Sequence, residues 1–438
     1  MTDQPLLAFY GDDFTGSADV VLQYQRLGLR GKIFLGAPSN DQLAEAAREY
    51  PVVGVAGTTR ALPAAEIRAV IEPVFRALMA LKPDFLQYKV CSTADSSASI
   101  GSFEPAIRLG RELCGATPVP ILVAQPNLGR YTAFSNHFAV DRGTVYRLDR
   151  QPVMANHPVT PMPEADLRRH VELQLEEPVG AITVAELQGP DGGRASFAAA
   201  AREGLVGVVV DSLSEADLHS AGELFMHDRE STLFGLGSGG LSIAVARALG
   251  FTEGSVLPRL SPMAGPCLAV SGSCSPLTAD QIRDALDSGW LGITLELSAS
   301  LSDMLQAVHA AAAEALTALQ QGRSVVIYSC GEEQPMAGAS VDVRDVATAL
   351  ASAIRYCAEH LQLERVIVAG GDTSGHVITA LGATAMTSIS PVGEFTLCCE
   401  LEADSEAIDG LQVVLKGGQI GKADFFEFVR LGDGRLDD

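Results

Sequence analysis

Two adjacent acidic residues at the end of an apolar run mark the first place where this chain could do chemistry. Gly11-Asp12-Asp13-Phe14-Thr15-Gly16-Ser17-Ala18-Asp19 follows Leu6 to Tyr10, which reads as a strand. At the carboxyl edge of a first parallel strand a ligand crevice is expected, and Asp12 and Asp13 would face it. There a carboxylate can take a proton from a substrate hydroxyl, hydrogen-bond other hydroxyls or hold a metal. The competing reading makes one of the pair a helix N-cap and leaves Asp19 merely solvated. Two adjacent carboxylates at a buried edge are costly without partners, so a functional role is the preferred reading.

A second candidate stretch, Lys89 to Gly101, follows another strand and combines a cation with a dense run of hydroxyls and Asp95. Lys89, Ser92 and Thr93 suit a polyhydroxy acid whose carboxylate needs a cation and donors, although a serine-rich stretch is often only a loop. Cys91 has no histidine near it in sequence and reads as a small buried thiol. Gly235-Leu236-Gly237-Ser238-Gly239-Gly240 fits G-x-G-x-x-G between a strand and a helix, which supports a rival reading as a nicotinamide-dependent dehydrogenase. Pro258 and Pro262 stand where that fold needs a clean strand ending in an acidic residue, so an anion nest at Gly237, Ser238 and Gly239 is preferred.

In the C-terminal part, Arg365-Val-Ile-Val-Ala369 leads into Gly370-Gly371-Asp372-Thr373-Ser374-Gly375 and then a helical pattern. Glycines let backbone N–H groups converge there, and the helix N-terminus adds a positive dipole end, so the turn is a candidate phosphate site. An ordinary capped turn is the alternative. Ser271-Gly272-Ser273 and Lys416-Gly417-Gly418 end two more strands with the same small residues, and three such turns in one domain point to a nucleotide crevice. No G-x-x-x-x-G-K-[ST] occurs, which excludes a P-loop NTPase, and no H-E-x-x-H or paired Cys/His spacing supports zinc. His157 and His376 sit in candidate site loops, where a structural role is the commoner one.

The elements that must position these residues alternate in the α/β manner. Strands at 6–10, 31–36, 52–55, 85–88, 119–123, 180–184, 207–210 and 232–236 are separated by helical stretches, and 131–148 reads as an irregular loop or hairpin. The stretch from Gly250 to Pro266 is rich in Gly and Pro and reads as a linker. The expected organisation is residues 1–250 as a first domain, 251–265 as linker and 266–438 as a second domain that holds the nucleotide crevice. Each domain would be a mainly parallel sheet flanked by helices, with the active site in the cleft between them and a hinge near 254–265.

At 438 residues, two domains are the default, and 47% hydrophobic against 19% charged residues is a globular balance. A formal net charge of −23 argues against a sequence-independent nucleic-acid binder. Any anionic substrate must then be held by local Lys, Arg and backbone N–H groups. The eight cysteines show no C-x-x-C pair and read as reduced. The N-terminus shows no signal sequence and no apolar run reaches membrane-spanning length, so a cytoplasmic protein without membrane contact is expected.

Gly11-Asp-Asp-Phe-Thr-Gly-Ser-Ala-Asp19, Lys89 to Thr93, His157-Pro-Val-Thr160, Gly237-Ser-Gly239, Ser271-Gly-Ser-Cys-Ser275, Gly370-Gly-Asp-Thr-Ser-Gly375 and Lys416-Gly-Gly418 together resemble the four-carbon acid sugar kinase family. The resemblance spans the chain in order. It implies an N-terminal domain for the sugar acid, a C-terminal domain for ATP, and phosphoryl transfer to the terminal hydroxyl of 3-oxo-tetronate, threonate, erythronate or the branched 3-oxo-isoapionate. One departure stands out: Cys91 occupies the place of an Asp in the family's Lys-x-Asp-Ser-Thr loop, and the Leu-Arg-Gly-Asn that follows in simple-tetronate enzymes is absent. That favours a divergent or branched acid. On this basis Asp12 or Asp13 is the expected base, Thr15, Lys89, Ser92, Thr93, His157, Gly237, Ser238 and Gly239 the acid-binding residues, and Ser271, Ser273, Gly370 to Gly375, Lys416, Gly417 and Gly418 the ATP-binding residues. Mg²⁺ would bridge the phosphates with Asp372 beside it, and a homo-oligomer is left open. A sugar-acid-binding protein without turnover is the remaining alternative.

Overall fold

Short β-branched runs that bury both faces build this protein, as a parallel sheet requires. In the strand Arg365–Ala369, Val366, Ile367 and Val368 are all fully buried, each worth ~1.5–3 kcal/mol relative to exposure. The computed structural model describes residues 6–115, 118–227, 233–252, 258–298, 300–329 and 341–432, without the side chain of Asp372. The chain divides into two units, Met1–Ser255 and Val256–Asp438. The expected linker and hinge run partly through 253–257, outside the described residues.

The first unit holds β1 (Leu7–Gly11), α1 (Phe14–Arg26), β2 (Gly31–Phe34), α2 (Asn40–Glu49), β3 (Val52–Ala56), α3 (Ala64–Ala80), β4 (Phe85–Lys89), α4 (Glu104–Cys114) and β5 (Val119–Leu122). A three-stranded antiparallel piece follows, β6 (Arg130–Ala133), β7 (Asn136–Asp141) and β8 (Thr144–Arg147), where an irregular loop or hairpin was expected. Then come α5 (Leu167–Leu175), β9 (Gly180–Ile182), α6 (Val184–Leu187), α7 (Arg194–Arg202), β10 (Gly207–Val210), α8 (Glu215–Phe225), β11 (Leu233–Gly237) and α9 (Gly239–Ala248). The main strands run parallel in the order β2-β3-β1-β4-β11-β5-β10-β9. The chain leaves β1 toward β2 and β3 on one side and returns to β4 on the other, so a topological switch point lies between β1 and β4.

The second unit holds β12 (Leu268–Ser271), α10 (Pro276–Asp287), β13 (Leu291–Thr294), α11 (Leu301–Gln320), β14 (Val325–Tyr328), α12 (Val343–His360), β15 (Arg365–Ala369), α13 (Gly371–Ala380), β16 (Ala383–Val392), β17 (Thr396–Ala403), β18 (Gln412–Lys416) and α14 (Phe425–Leu431). Its strand order is β13-β14-β12-β15-β18-β17-β16, parallel except that β17 runs antiparallel to both neighbours. Here the switch point falls between β12 and β15. Local sequence pattern announces neither β13 nor the place of Cys398 and Cys399 in the sheet. Both residues lie in β17, which pairs by hydrogen bonds that no local pattern announces. Cys91, Cys114, Cys267, Cys357, Cys398 and Cys399 are free, but Cys274 is disulfide-bonded, contrary to the expectation of reduced cysteines. Pairing depends on tertiary neighbours, which spacing along the chain does not show. No described helix is long and apolar enough to cross a membrane.

Candidate functional site

The carboxyl ends of β1, β4 and β11 lie level, with Gly11 opposite Lys89 and Lys89 opposite Gly237. The residues just past these ends therefore share one edge of the sheet. Asp13 caps α1: its carboxylate accepts from Gly16 N at 2.8 Å and from Thr15 Oγ1 at 2.7 Å. That is the N-cap role the sequence offered as an alternative, and Thr15 joins it as a partner of Asp13. Arg60, on the 3₁₀ turn Thr59–Ala61 after β3, supplies what the sequence did not show. Its Nη2 and Nε donate to Asp12 at 2.7 and 3.2 Å, and its Nη1 donates to Asp13 at 2.7 Å. One guanidinium thus bridges two consecutive carboxylates. Its turn is fastened from below, since Thr59 Oγ1 and Tyr88 Oη lie 2.8 Å apart and Tyr88 stacks on Tyr10 with centroids 5.8 Å apart. A lone Arg between two strands carries no motif, which is why sequence reading missed it.

The environment separates the two carboxylates. Asp12 is 2% exposed, and burial, with Asp13 adding to it, pushes its carboxyl up to about 6 against the pull of Arg60 and Lys89. Burial also opposes ionisation of Asp13, but the charges of Arg60 and Lys89 and the bonds from Thr15 and Gly16 outweigh it, so Asp13 lies below the usual carboxylate value. For Arg60 the two carboxylates overcome the cost of burial and hold the guanidinium well above the ordinary arginine value. Asp13 is therefore a fixed anion, whereas Asp12 can exchange a proton near neutrality.

Lys89, 3% exposed, lies 3.4 Å from Asp19. A Cβ at Gly16 would meet Asp13 Oδ1 at 2.4 Å and Lys89 Nζ at 3.1 Å, so only glycine lets these charges close over the first turn of α1. Asp19 is not merely solvated: it accepts from Gln23 at 2.8 Å and Gln125 at 3.2 Å in addition to facing Lys89. Gly237, Ser238 and Gly239 pack against this group. Ser238 is fully buried, its N–H donates to Leu122 O at 3.0 Å, and a Cβ at Gly239 would meet Asp19 Oδ2 at 2.5 Å. The small residues of the G-x-G-x-x-G match are thus explained by close packing, and the described residues 258–267 supply no strand for a dinucleotide unit.

The loop after β4 is held from behind. Ser92 O accepts from His137 Nε2 at 2.8 Å, Thr93 Oγ1 lies 3.0 Å from Cys91 Sγ, and Ser96 Oγ lies 2.8 Å from His170 Nε2. Burial lowers His137 and His170 to about 4, so both are neutral supports. His157 and Asp95 form a further cluster through Thr160, whose hydroxyl donates to Asp95 and whose N–H donates to His157 Nδ1 at 3.1 Å. Among the described residues no hydrogen bond or ion pair joins His157 to the Asp12–Arg60–Asp13 group.

In the second unit the three glycine-rich turns meet at one edge. Ser271 lies opposite Ala369 and Ala369 opposite Lys416; Gly272 N donates to Ala369 O at 3.0 Å and Gly370 N to Lys416 O at 2.8 Å. Gly370 sits at φ 133°, a conformation open to glycine, and starts α13 without a side-chain cap. Among the described residues no side chain caps the first-turn N–H groups of α13, and a Cβ on Gly371 would meet open space. Thr373 packs against Gly272 and Gly370, while Ser374 Oγ turns back to Gly370 O and takes no part in the opening. Ser273 Oγ lies 3.1 Å from Thr278 Oγ1, and Ser275 Oγ donates to Gly418 O at 2.6 Å. Lys416 is fully buried, with Nζ donating to Thr278 Oγ1 at 3.0 Å and Gly417 O at 2.9 Å. No carboxylate pairs with it among the described residues, and burial lowers it to about 8. Asp372 falls in the first turn of α13, with its side chain outside the described residues. Among the described residues no group of three or more His, Cys, Asp or Glu could hold a metal.

Comparison with known proteins divides the chain in the same two parts. A family of sugar-binding N-terminal domains matches residues 7–245, and a family of nucleotide-binding C-terminal domains matches residues 268–426. The chain is 38% identical to a 3-oxo-isoapionate kinase of Paraburkholderia graminis, over 98% of this chain and 95% of that protein. It is 30% identical to a 3-oxo-tetronate kinase of Methylobacterium radiotolerans, over 96% of this chain and 97% of the relative. A crystal structure from Salmonella typhimurium LT2 shares the fold with a TM-score of 0.80 at 23% identity, covering 97% of this chain and 98% of that one. A Haemophilus influenzae structure shares it with a TM-score of 0.73 at 22% identity, covering 97% and 99%.

Proposed function

Because the chain belongs to the four-carbon acid sugar kinase family and is a carbohydrate-acid kinase, we propose that it transfers the γ-phosphoryl group of ATP to the terminal hydroxyl of a four-carbon or branched sugar acid, 3-oxo-isoapionate before 3-oxo-tetronate, threonate or erythronate. The observation that carries this reading is the Asp12–Arg60–Asp13 group at the first switch point, where neighbouring carboxylates differ in proton affinity. The acceptor hydroxyl attacks the γ-phosphorus, the bond to the β–γ bridging oxygen breaks, and the hydroxyl proton passes to Asp12. Asp13 stays ionised and, with Arg60, fixes the position of Asp12. Lys89, Ser92 and Thr93 bind the acid, with Thr15, Gly237, Ser238 and Gly239 shaping the floor and His157 at the loop beside it.

At the second switch point the free N–H groups of Gly371 to Thr373 would receive phosphate oxygens, and Lys416 would supply the cation. Ser271, Ser273, Gly417 and Gly418 would line the nucleoside side. Mg²⁺ would arrive with the nucleotide, because it commonly binds substrate phosphates plus one or two carboxylates and needs no protein cage. Asp372 is the residue proposed to hold it, and the metal would shield phosphate charge. A coupled ADP-release assay with Mg·ATP tests the reading on 3-oxo-isoapionate, 3-oxo-tetronate, threonate and erythronate, for wild type and Asp12→Asn. Release that requires one acid and collapses in the variant is expected. No acid-dependent release with any of the four would overturn the assignment of substrate class.

A further inference from the structure

Arg130 begins β6, and its backbone pairs with Gln125 just past β5: Gln125 N donates to Arg130 O at 2.9 Å and Arg130 N to Gln125 O at 3.1 Å. The Gln125 amide reaches Asp19, and Asp19 faces Lys89. Cys91 lies within electrostatic reach of both Arg60 and Arg130. Arg130 therefore stands at the same strand-end cluster as the candidate acid-binding residues, although it belongs to the antiparallel piece.

Its charge is poorly answered. Among the described residues only Nη1 is engaged, by the carbonyls of Leu128 at 2.8 Å, Gly129 at 3.4 Å and Val140 at 3.5 Å, while Nε is buried with no acceptor. Arg60 shows the contrast, with two carboxylates on its fork. Arg365 shows another, since it has no carboxylate but spends Nε, Nη1 and Nη2 on Gln412, Ser261 and Val429. Burial accordingly pulls Arg130 below the ordinary arginine value, with Cys91, Asp141 and Tyr131 as the groups that act against it. Arg130 as a whole residue is half-buried, and its Nε is a buried donor left without an acceptor. A planar cation in that state is suited to a carboxylate, which it can hold by two parallel bonds.

We propose that Arg130 receives the carboxylate of the acid substrate, and that Cys91, in place of an anionic neighbour, leaves that guanidinium free to do so. This rests on the kinase reading above. It makes Arg130 a specificity residue: the carboxylate end docks on the β6 piece, away from the hydroxyl that Asp12 deprotonates.

The test uses Arg130→Met, Arg130→Lys and Cys91→Asp in the full-length protein, with KM for the acid and for ATP measured separately. It adds the ratio of turnover on erythronate to that on erythritol, its uncharged counterpart. Arg130→Met should raise the acid KM about 10- to 100-fold, as expected for a lost charge-assisted bond, and leave the ATP KM unchanged while erasing the preference for the acid over the polyol. Arg130→Lys should recover part of both, and Cys91→Asp, by giving Arg130 an internal partner, should raise the acid KM with the cation still present. An unchanged acid KM in Arg130→Met, or a parallel rise in both KM values with a fallen melting temperature, would overturn the proposal in favour of a hairpin support. Should Arg130→Met not fold, an unchanged acid KM in Cys91→Asp overturns it. If wild type phosphorylates none of the acids, the kinase substrate reading fails separately, and the melting shift induced by erythronate in wild type against Arg130→Lys and Cys91→Asp decides the role of Arg130.

Discussion

At the end of β1 the protein gathers charged side chains, Asp12, Asp13, Asp19, Arg60 and Lys89, whereas at the end of β15 it offers uncapped backbone N–H groups, small hydroxyl residues and one buried lysine. Both edges are topological switch points of parallel strands, so the same architecture supports two recognition strategies. Side-chain charges can tell one sugar acid from another and can move a proton. Backbone donors recognise phosphate whatever is attached to it. The first strategy demands compensation within the cluster, because each buried charge is costly alone. The second demands close approach of backbone, and it has Gly370 at φ 133° and Gly371 facing open space.

Four substitutions test that contrast. Asp12→Asn should lower kcat by about 10²–10⁴-fold, the usual worth of a general base, with little effect on the nucleotide KM. As the proposed base, Asp12 must be ionised to act, so kcat/KM for the acid should fall as pH drops through about 6, and the variant should lack that limb. A pH profile flat through this range would remove Asp12 from the proton transfer.

Arg60→Met leaves Asp12 and Asp13 without their shared partner and should cost about 3–5 kcal/mol in urea unfolding. Without Arg60 both carboxyls move up, so the deficit should shrink as pH falls and they protonate. A deficit independent of pH would mean that lost packing, not charge, dominates.

Lys416→Met addresses the second edge. The folded lysine lies near 8 against an ordinary 10.5, so the unfolded chain binds the extra proton between these values and wild-type stability rises with pH across that window. Below pH 8 the buried charge is a penalty of up to about 3 kcal/mol, offset in part by its bonds to Thr278 and Gly417. The variant should therefore gain on wild type at pH 7 and lose that gain toward pH 10.5, while saturating ATP should stabilise it less. Equal protection of both proteins by ATP would exclude Lys416 as a phosphate ligand.

Gly371→Ala carries the smallest expected effect and the sharpest sign. The position is helical and open, so alanine should raise stability by ~0.5–1 kcal/mol. Its methyl group would stand where phosphate oxygens approach, so the nucleotide KM should rise about tenfold with the acid KM unchanged, about 1.4 kcal/mol of binding. A raised acid KM alone would break the assignment of the two edges.

The alternation of apolar runs and helical stretches, the glycine-rich strand ends and the doublet Asp12-Asp13 were legible in the sequence, because strand burial, turn chemistry and motif order are local properties. The two units were legible for the same reason, and the change of character after Asn127 was legible only as an irregular loop or hairpin. Arg60 was not: it lies 47 residues from Asp13 and meets it only because β1 and β3 pair side by side. Asp19, solvated in the competing reading of the sequence, is a partner of Lys89 and Gln125 through the pairing of β1, β4, β11 and β5. The antiparallel β17, the disulfide at Cys274 and the unanswered charge of Arg130 were likewise hidden. What the sequence by itself determined is which residue types stand at which strand ends. Which of them are paired, which titrate near neutrality and which remain free for a ligand was decided by tertiary structure, since proton affinity and charge compensation depend on burial and on neighbours distant in the chain.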